Sequence, residues 1–415
     1  MNDLFIIAGI RTPFIRSGTD FDALTADDLG RHACTSLLLR TGIDPALIDE
    51  VIFGCVAQPA EAANLARVIA LRSGIPEKTP AMTVHRNCAS GMEAITTAHQ
   101  RLATGQGELF LVGGAESMSR IPFFYPHGTV AKFAALSKAK ETGEKITAIA
   151  DFRPKDFKPR IGLQLGLTDP VSGEIMGDTA ETLAREFHLT RDLQDAFAAS
   201  SHRKALGASD HLLDEIAPVH LPGKAVTRDN GVRTDSTPEK LAKLRPIFDR
   251  QSGSVTAGNS SQVTDGAVAL LVGSEQAAKK LGIEPLGRLT SYAYTGCDPR
   301  RMGLGPVHAI AKLGRSPESA DVIEINEAFA AQVLAVLAAL KQPDKCGAGM
   351  SPVEISPERI NRRGGAIALG HPVGASGARL ILTALHQLRE TGGRQALATL
   401  CVGGGQGAAL WLERP

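Results

Sequence analysis

Aromatic side chains make up only 4% of these 415 residues, with a single tryptophan, while hydrophobic residues as a class reach 43%. A core of that kind is aliphatic, and Val, Ile, Leu and Ala favour parallel sheets buried on both faces. A charge bias is missing as well: 45 Lys and Arg stand against 44 Asp and Glu, a net charge of +1. That balance excludes a global pull toward nucleic acid or an acidic surface and leaves room only for a local one. The six cysteines, at positions 34, 55, 88, 297, 346 and 401, form no C-x-x-C pair and have no histidines at metal-ligand spacing. Neither a disulfide framework nor a metal site is expected. Long apolar runs are also lacking. The longest, Ala328 to Leu340, is interrupted by Gln332 and is too short to span a bilayer. The start, Met1-Asn2-Asp3, has an acid where a leader needs basic residues, and Arg11 ends the apolar run that follows. A cytoplasmic protein without a targeting segment is expected. At this length one hydrophobic core does not suffice, and two or three domains are expected.

What the chain does contain is a repeat. Asn87-Cys88-Ala89-Ser90-Gly91-Met92 is echoed by Val373-Gly374-Ala375-Ser376-Gly377-Ala378. Each copy continues with a helical stretch, to Leu102 or Leu388, then a Thr-Gly turn, an apolar run and a glycine cluster, Gly113-Gly114 or Gly403-Gly404-Gly405. Self-similarity of a whole strand-helix-strand unit implies a duplicated fold with its ligand where the copies meet. The copies differ in chemistry. The first has a cysteine before Ala-Ser-Gly; the second has His371 there and Cys401 before its glycines.

Read coarsely, strands alternate with helices: Leu4 to Ala8, helix Leu29 to Thr41, Val51 to Phe53, helix Leu65 to Ser73, and Met82 to Val84 leading to Cys88. That alternation predicts an α/β protein with an open parallel sheet and helices on both faces. It is lost after Glu116, where Pro, Gly and charge clusters run to about Gly173, followed by helices at 178–188 and 192–206, the first opened by Asp178 and Glu181 as a capping box. This stretch reads as an excursion. Strands resume at Ala269 to Val272 and Val322 to Ile325.

Cys88 reads either as a small buried hydrophobe or as a nucleophile at a helix N-terminus, where the macrodipole would lower its pKa. Small Ala89, Ser90 and Gly91 would then let a substrate approach the backbone. His371 is either a structural histidine or the base that takes the thiol proton, and the glycine-rich run Gly364 to Gly370 suggests that backbone closely approaches something bound. Cys401-Val402-Gly403-Gly404-Gly405-Gln406-Gly407 is no dinucleotide loop, because a strand and not a helix follows it; it suits an acid-base thiol beside an oxyanion hole. Asn326, after the strand Asp321 to Ile325, is an N-cap or an amide that orients a water or polarises a carbonyl.

Together these motifs, with Arg11-Thr12-Pro13-Phe14, Gly54-Cys55-Val56, Gly113-Gly114-Ala115-Glu116-Ser117-Met118-Ser119, Met176-Gly177, Thr256-Ala257-Gly258-Asn259-Ser260-Ser261 and Asn326-Glu327-Ala328-Phe329, resemble the thiolases over essentially the whole chain. The resemblance implies a duplicated five-layered αβαβα thiolase fold with an inserted loop domain. It divides the chain into 1–119 and 249–273 (the N-terminal half), 120–248 (the loop domain) and 274–415 (the C-terminal half). It further implies reversible, CoA-dependent cleavage of 3-ketoacyl-CoA through an acyl-cysteine, without a cofactor, since coenzyme A is a substrate. Cys88 would be acylated, His371 would activate it, and Cys401 would handle the α-proton. Asn326, through a water, and His371 would polarise the enolate's thioester, while the N–H groups of Cys88 and Gly403 would hold the oxyanion. Ser261, Phe329, Met176, Ala257 and Gly258 would bind CoA. Homodimers or homotetramers are implied, without nucleic acid, alongside a hydratase/dehydrogenase partner of β-oxidation.

Ile175 stands where short-chain acetoacetyl-CoA thiolases often carry histidine, and Asn326-Glu327 stands where oxidation-complex subunits usually have His-Glu, although Asp156-Phe157-Lys158-Pro159 resembles the latter. Biosynthetic acetoacetyl-CoA synthesis is the alternative. A decarboxylating ketosynthase would replace Cys401, and a scaffold subunit would have no reason to keep Cys88, His371, Asn326 and Cys401 together. The segment 131–160 holds eight basic and four acidic residues, a local net of +4. Interleaved with Phe133, Leu136, Ile146, Ile149, Phe152 and Phe157, it reads either as a solvated loop or as a segment that docks on an anionic surface, be it a membrane, a partner or the phosphates of CoA.

Overall fold

The computed structural model describes residues 3–415; Met1 and Asn2, part of the start read above for a leader, lie outside the described residues. The first half runs β1 (Leu4–Arg11), α1 (Ala26–Thr41), β2 (Glu50–Gly54), α2 (Leu65–Arg72), β3 (Ala81–Val84), α3 (Ser90–Ala103) and β4 (Leu109–Ser117). Helix α1 begins three residues before the expected Leu29 because Thr25 caps it reciprocally with Asp28, and Gly42 ends it in the left-handed region. The excursion holds α4 (His127–Lys138), α5 (Thr142–Ala150), α6 (Met176–Glu186) and α7 (Arg191–Gly207). After it come β5 (Thr264–Gly273), β6 (Gly287–Gly296), α8 (Gly305–Leu313), β7 (Val322–Ile325), α9 (Ala330–Lys341), α10 (Val373–Thr391), β8 (Gln395–Val402) and β9 (Gln406–Glu413).

The strands form one sheet in the order β7-β8-β9-β6-β1-β5-β4-β2-β3, with the short strand Ile15–Arg16 added to β5. The duplication is visible in this order. β2-β4-β5-β1 and β7-β8-β9-β6 repeat one pattern, a parallel pair (β2/β4, β7/β8) followed by two antiparallel ones. The expected open parallel sheet is therefore a mixed one. The reason is covalent: β8 and β9 are joined by Gly403–Gly405 alone, too short for the crossover that parallel strands need. The excursion occupies the place in the first half that this turn occupies in the second.

Alternation along the strands builds the layers. Phe110 and Val112 of β4 face a central core with α3 and α10, whereas Leu109 and Leu111 face α1 and α2. In the second half Ala398 and Leu400 join the same central core, while Leu397 and Trp411 pack under α8 and α9. Two sheet halves thus enclose one helix pair and carry helices outside, which makes five layers. Each fully buried Leu, Ile or Phe stabilises this arrangement by roughly 1.5–3 kcal/mol.

Two details of the excursion differ from expectation. Helices α4 and α5 form in the stretch read as Pro, Gly and charge clusters; their apolar residues Val130, Ile146 and Ile149 stay exposed, so no amphipathic stripe marks a buried face. Helix α6 starts at Met176, so Asp178 is not its cap: its carboxylate accepts the N–H of Ile175 at 3.3 Å. Glu181 bonds elsewhere, accepting the N–H groups of Ser254 at 2.9 Å and Val255 at 2.8 Å, and so fastens the loop that leads back to β5.

Candidate active site

The turn between β3 and α3 is closed by Ser90, whose hydroxyl accepts the N–H of Arg86 at 2.9 Å and donates to the carbonyl of Asn87 at 2.7 Å. Asn87 adopts φ +43°, a left-handed conformation that asparagine tolerates, and its Nδ2 donates to the carbonyl of Gly403 at 2.7 Å. The two chain segments carrying Cys88 and Gly403 are thereby locked together. Cys88 lies just before Ala89, the N-cap of α3, with partial exposure. The expectation that the macrodipole lowers its pKa is not met: desolvation pushes the thiol up and outweighs the N–H groups of Gly403 and of Cys88 itself, which favour the thiolate. At rest Cys88 is a thiol and needs a base.

His371 is buried, with Nδ1 2.6 Å from the Ser376 hydroxyl and Nε2 3.5 Å from Nδ2 of Asn326. Burial, with the charge of Arg379 adding to it, pushes its pKa down to about 4. The imidazole is therefore neutral at physiological pH and able to accept a proton. Asn326 is fully buried and does not cap a helix, because α9 begins only at Ala330 with Phe329 at its N-cap. Its N–H donates to the Thr399 carbonyl at 3.0 Å, and its Oδ1 has no hydrogen-bond partner among the described residues. An orphaned buried oxygen of this kind suits a water or substrate group.

The glycine-rich run before His371 serves the protein and not a ligand. A Cβ on Gly365 would lie 2.1 Å from the carboxylate carbon of Glu327, so glycine is required there. Glu327 is fully enclosed and bonded to Ser201 at 2.6 Å, Asn361 at 2.8 Å and the N–H of Ile367 at 3.2 Å. It fastens the segment leading to His371 from beneath. A second buried carboxylate, Glu116 at the end of β4, accepts the N–H groups of Val56 at 3.0 Å, Ala57 at 2.9 Å and Gly374 at 2.9 Å, tying the first half to the start of α10.

Cys401 sits in β8 opposite Gly407 of β9. It is buried, and desolvation, reinforced by nearby Cys88, pushes its thiol well above the ordinary range. A proton on this sulfur is held until a stronger base appears beside it.

These groups meet in one cavity of about 580 Å³. Cys88, His371, Cys401 and Gly403 line it together with Ser261, Phe329 and Met176, and Asn326 stands behind His371. Ala257 and Gly258 are outside the wall: Ala257 is exposed, and Gly258 packs on Leu241 and Leu244. Other wall residues were given no role in the sequence, among them Asn87, Glu116, Ile121, Met302 and most of the stretch Gly162 to Val171, with Leu163, Leu165 and Leu167. The apolar alternation of Gly162-Leu163-Gln164-Leu165-Gly166-Leu167 inside a charged excursion was the available signal for that stretch. Cys297 lies close by, its N–H donating to Gly405 at 2.7 Å.

Residues 4–276 match the family described as "Thiolase, N-terminal domain" and residues 283–414 the "Thiolase, C-terminal domain". The chain is 40% identical to a "3-ketoacyl-CoA thiolase" of Pectobacterium atrosepticum, over 98% of this chain and 95% of the relative. It is 37% identical to the "Trifunctional enzyme subunit beta, mitochondrial" of Bos taurus, over 100% of this chain and 88% of the relative. Among solved structures, human mitochondrial 3-ketoacyl-CoA thiolase in complex with CoA superposes with a TM-score of 0.86 at 35% identity, covering 100% of this chain and 98% of the other.

Proposed function

The chain belongs to the thiolase family, and on that premise we propose that it cleaves 3-ketoacyl-CoA with free CoA, giving acetyl-CoA and a shortened acyl-CoA through an acyl group on Cys88. The observation that carries this reading is the convergence of Cys88, His371 and Cys401 on one cavity whose wall also holds Gly403.

In the proposed cycle Nε2 of His371 takes the Cys88 proton as the sulfur attacks the keto carbon, and the oxyanion is received by the N–H groups of Cys88 and Gly403. The bond between the α- and keto-carbons breaks. Its electron pair goes to the acetyl-CoA enolate, whose thioester oxygen is polarised by His371 and, through a water, by Asn326. Cys401 then gives its proton to the enolate carbon; a thiol kept protonated by burial suits this step. Acetyl-CoA leaves, the Cys401 thiolate takes the proton of incoming CoA, the CoA sulfur displaces the acyl group from Cys88, and the released Cys88 thiolate takes its proton back from His371. Ser261, Phe329 and Met176 are proposed to guide the CoA arm.

The alternative direction, acetoacetyl-CoA synthesis, uses the same groups in reverse, and no observation favours it. Incubating the protein with acetoacetyl-CoA or a longer 3-ketoacyl-CoA and free CoA tests the reading. CoA-dependent loss of substrate with matching acetyl-CoA is expected, and its absence for both substrates would refute the proposal.

We further propose a cytoplasmic homodimer or homotetramer that works beside a hydratase/dehydrogenase and touches membranes through residues 131–160. The edge strand β3, hydrogen-bonded on one side only, supports self-association. Among the described residues no helix is long and apolar enough to cross a membrane, so contact with lipid would be peripheral.

A further inference from the structure

We infer that Ser376 is a positioning residue that holds His371 in the tautomer with its proton on Nδ1, so that Nε2 carries the lone pair that can take a proton. The inference rests on the reading of His371 as the base. It follows from counting one hydrogen. The Ser376 hydroxyl is 3.0 Å from the carbonyl of Pro372, which can only accept, so the single hydroxyl hydrogen is spent there. Toward Nδ1 of His371, 2.6 Å away, the same oxygen can then only accept, and the ring must supply the hydrogen. The other side of the ring agrees. Nε2 faces the amide Nδ2 of Asn326 at 3.5 Å, a donor that suits a lone pair and would oppose an N–H. Ser376 is 1% exposed, so bulk water does not compete for its hydroxyl.

The tautomer matters because the imidazole is neutral. Were it charged, both nitrogens would carry protons and neither could act as a base; neutral, only the nitrogen without the proton can take one from Cys88. Duplication strengthens the assignment. Ser90, the counterpart of Ser376 in the first copy, also spends its hydrogen on a carbonyl of its own turn, that of Asn87 at 2.7 Å. Its free lone pair accepts the backbone N–H of Arg86 at 2.9 Å, and the turn that presents Cys88 is thereby closed. In the second copy the equivalent lone pair accepts the imidazole. One repeated serine thus shapes the nucleophile's turn in one half and orients the base in the other.

The test combines a spectroscopic and a kinetic reading on the full-length protein. With ring nitrogens labelled by 15N, the His371 signals, identified by their disappearance in His371→Ala, are expected to show a protonated Nδ1 and an unprotonated Nε2 at neutral pH. Ser376→Ala is expected to slow acylation of Cys88 by acetyl-CoA by roughly tenfold or more while leaving the KM for acetyl-CoA nearly unchanged, and Ser376→Thr, which keeps the hydroxyl, to recover most of the rate. A proton on Nε2 in the unmodified protein overturns the inference, as does wild-type acylation by Ser376→Ala. Should that variant fail to fold, the ring tautomer of the unmodified protein decides alone. Wild-type acylation by His371→Ala would instead refute His371 as the base, a failure distinct from that of the tautomer.

Discussion

Gly91 of α3 lies so close to α10 that a Cβ on it would come within 2.7 Å of the backbone nitrogen of Ala378. The contact is reciprocal, since a Cβ on Gly377 would meet the backbone nitrogen of Met92 at 2.8 Å. The two Ala-Ser-Gly copies are therefore the crossing point of the two central helices, and the small residues there serve helix contact and not the approach of a substrate. Because Cys88 and His371 both precede the first turns of these helices, the crossing also sets the nucleophile against the base.

Gly91→Val should test this double role. Three extra carbons at a closed crossing are expected to cost about 1–3 kcal/mol of stability through overpacking, readable as a lower denaturant midpoint, and to slow acylation as the helices part. Unchanged stability would mean that the crossing is looser than described.

The two active-site cysteines should separate by half-reaction. If Cys401 handles only the α-proton, Cys401→Ala still forms acyl-enzyme from acetyl-CoA but loses cleavage and condensation by orders of magnitude, each tenfold being about 1.4 kcal/mol of barrier. Cys88→Ala should lose acylation itself. Mass spectrometry of the Cys88 peptide gives the readout, and an acetyl adduct that survives Cys88→Ala would sink the assignment.

A pH profile should report the buried imidazole. A base fails when it is protonated, so lowering its pKa moves the acid limb to lower pH. With His371 pushed down to about 4 by burial, acylation in the free enzyme should hold through the ordinary histidine range and fall only as pH nears 4. In His371→Ala the reaction depends on thiolate already present. Because burial pushes the Cys88 thiol up, the residual rate should climb about tenfold per pH unit into the alkaline range. An acid limb at the ordinary histidine value would show that burial does not hold the ring neutral.

Much of this site was legible because a duplication writes the same local geometry twice. The Ala-Ser-Gly echo located Cys88 and His371, whereas the glycines after Cys401, read as an oxyanion hole, also form the β8–β9 hairpin turn. What stayed hidden depends on contacts distant in sequence. Glu116 gains its meaning from backbone groups at positions 56, 57 and 374, and Asn326 was read first as an N-cap because its proximity to His371 leaves no local trace. The glycines of 364–370 were legible as a close approach, but their partners, Ala205 at Gly364, Glu327 at Gly365 and Thr264 at Gly370, were not. Strand direction failed for a similar reason: periodicity shows which face of a strand is buried and not how its neighbour runs.

The charged excursion supplies the last prediction. Phe123, Ile146 and Phe157 of this region are 66%, 63% and 53% exposed, although Phe152 and Phe157 stack on each other with centroids 5.6 Å apart. Exposed apolar side chains amid a local net charge of +4 combine the two attractions that a peripheral contact with an anionic bilayer requires. Lys132 is already ion-paired, 2.8 Å from Asp156 and 3.4 Å from Asp151, and is a poor candidate for lipid. Lys155 and Lys158 are better placed in this argument, flanking exposed Phe157. At on the order of 1 kcal/mol per basic residue near the surface, replacing both by Gln should weaken binding to phosphatidylserine vesicles by more than about tenfold. High salt should weaken it further, and neutral phosphatidylcholine vesicles should bind little. Sedimentation with both kinds of vesicle measures all three effects. If the unmodified protein shows no salt-sensitive binding to the anionic vesicles, the exposed face serves something other than a membrane.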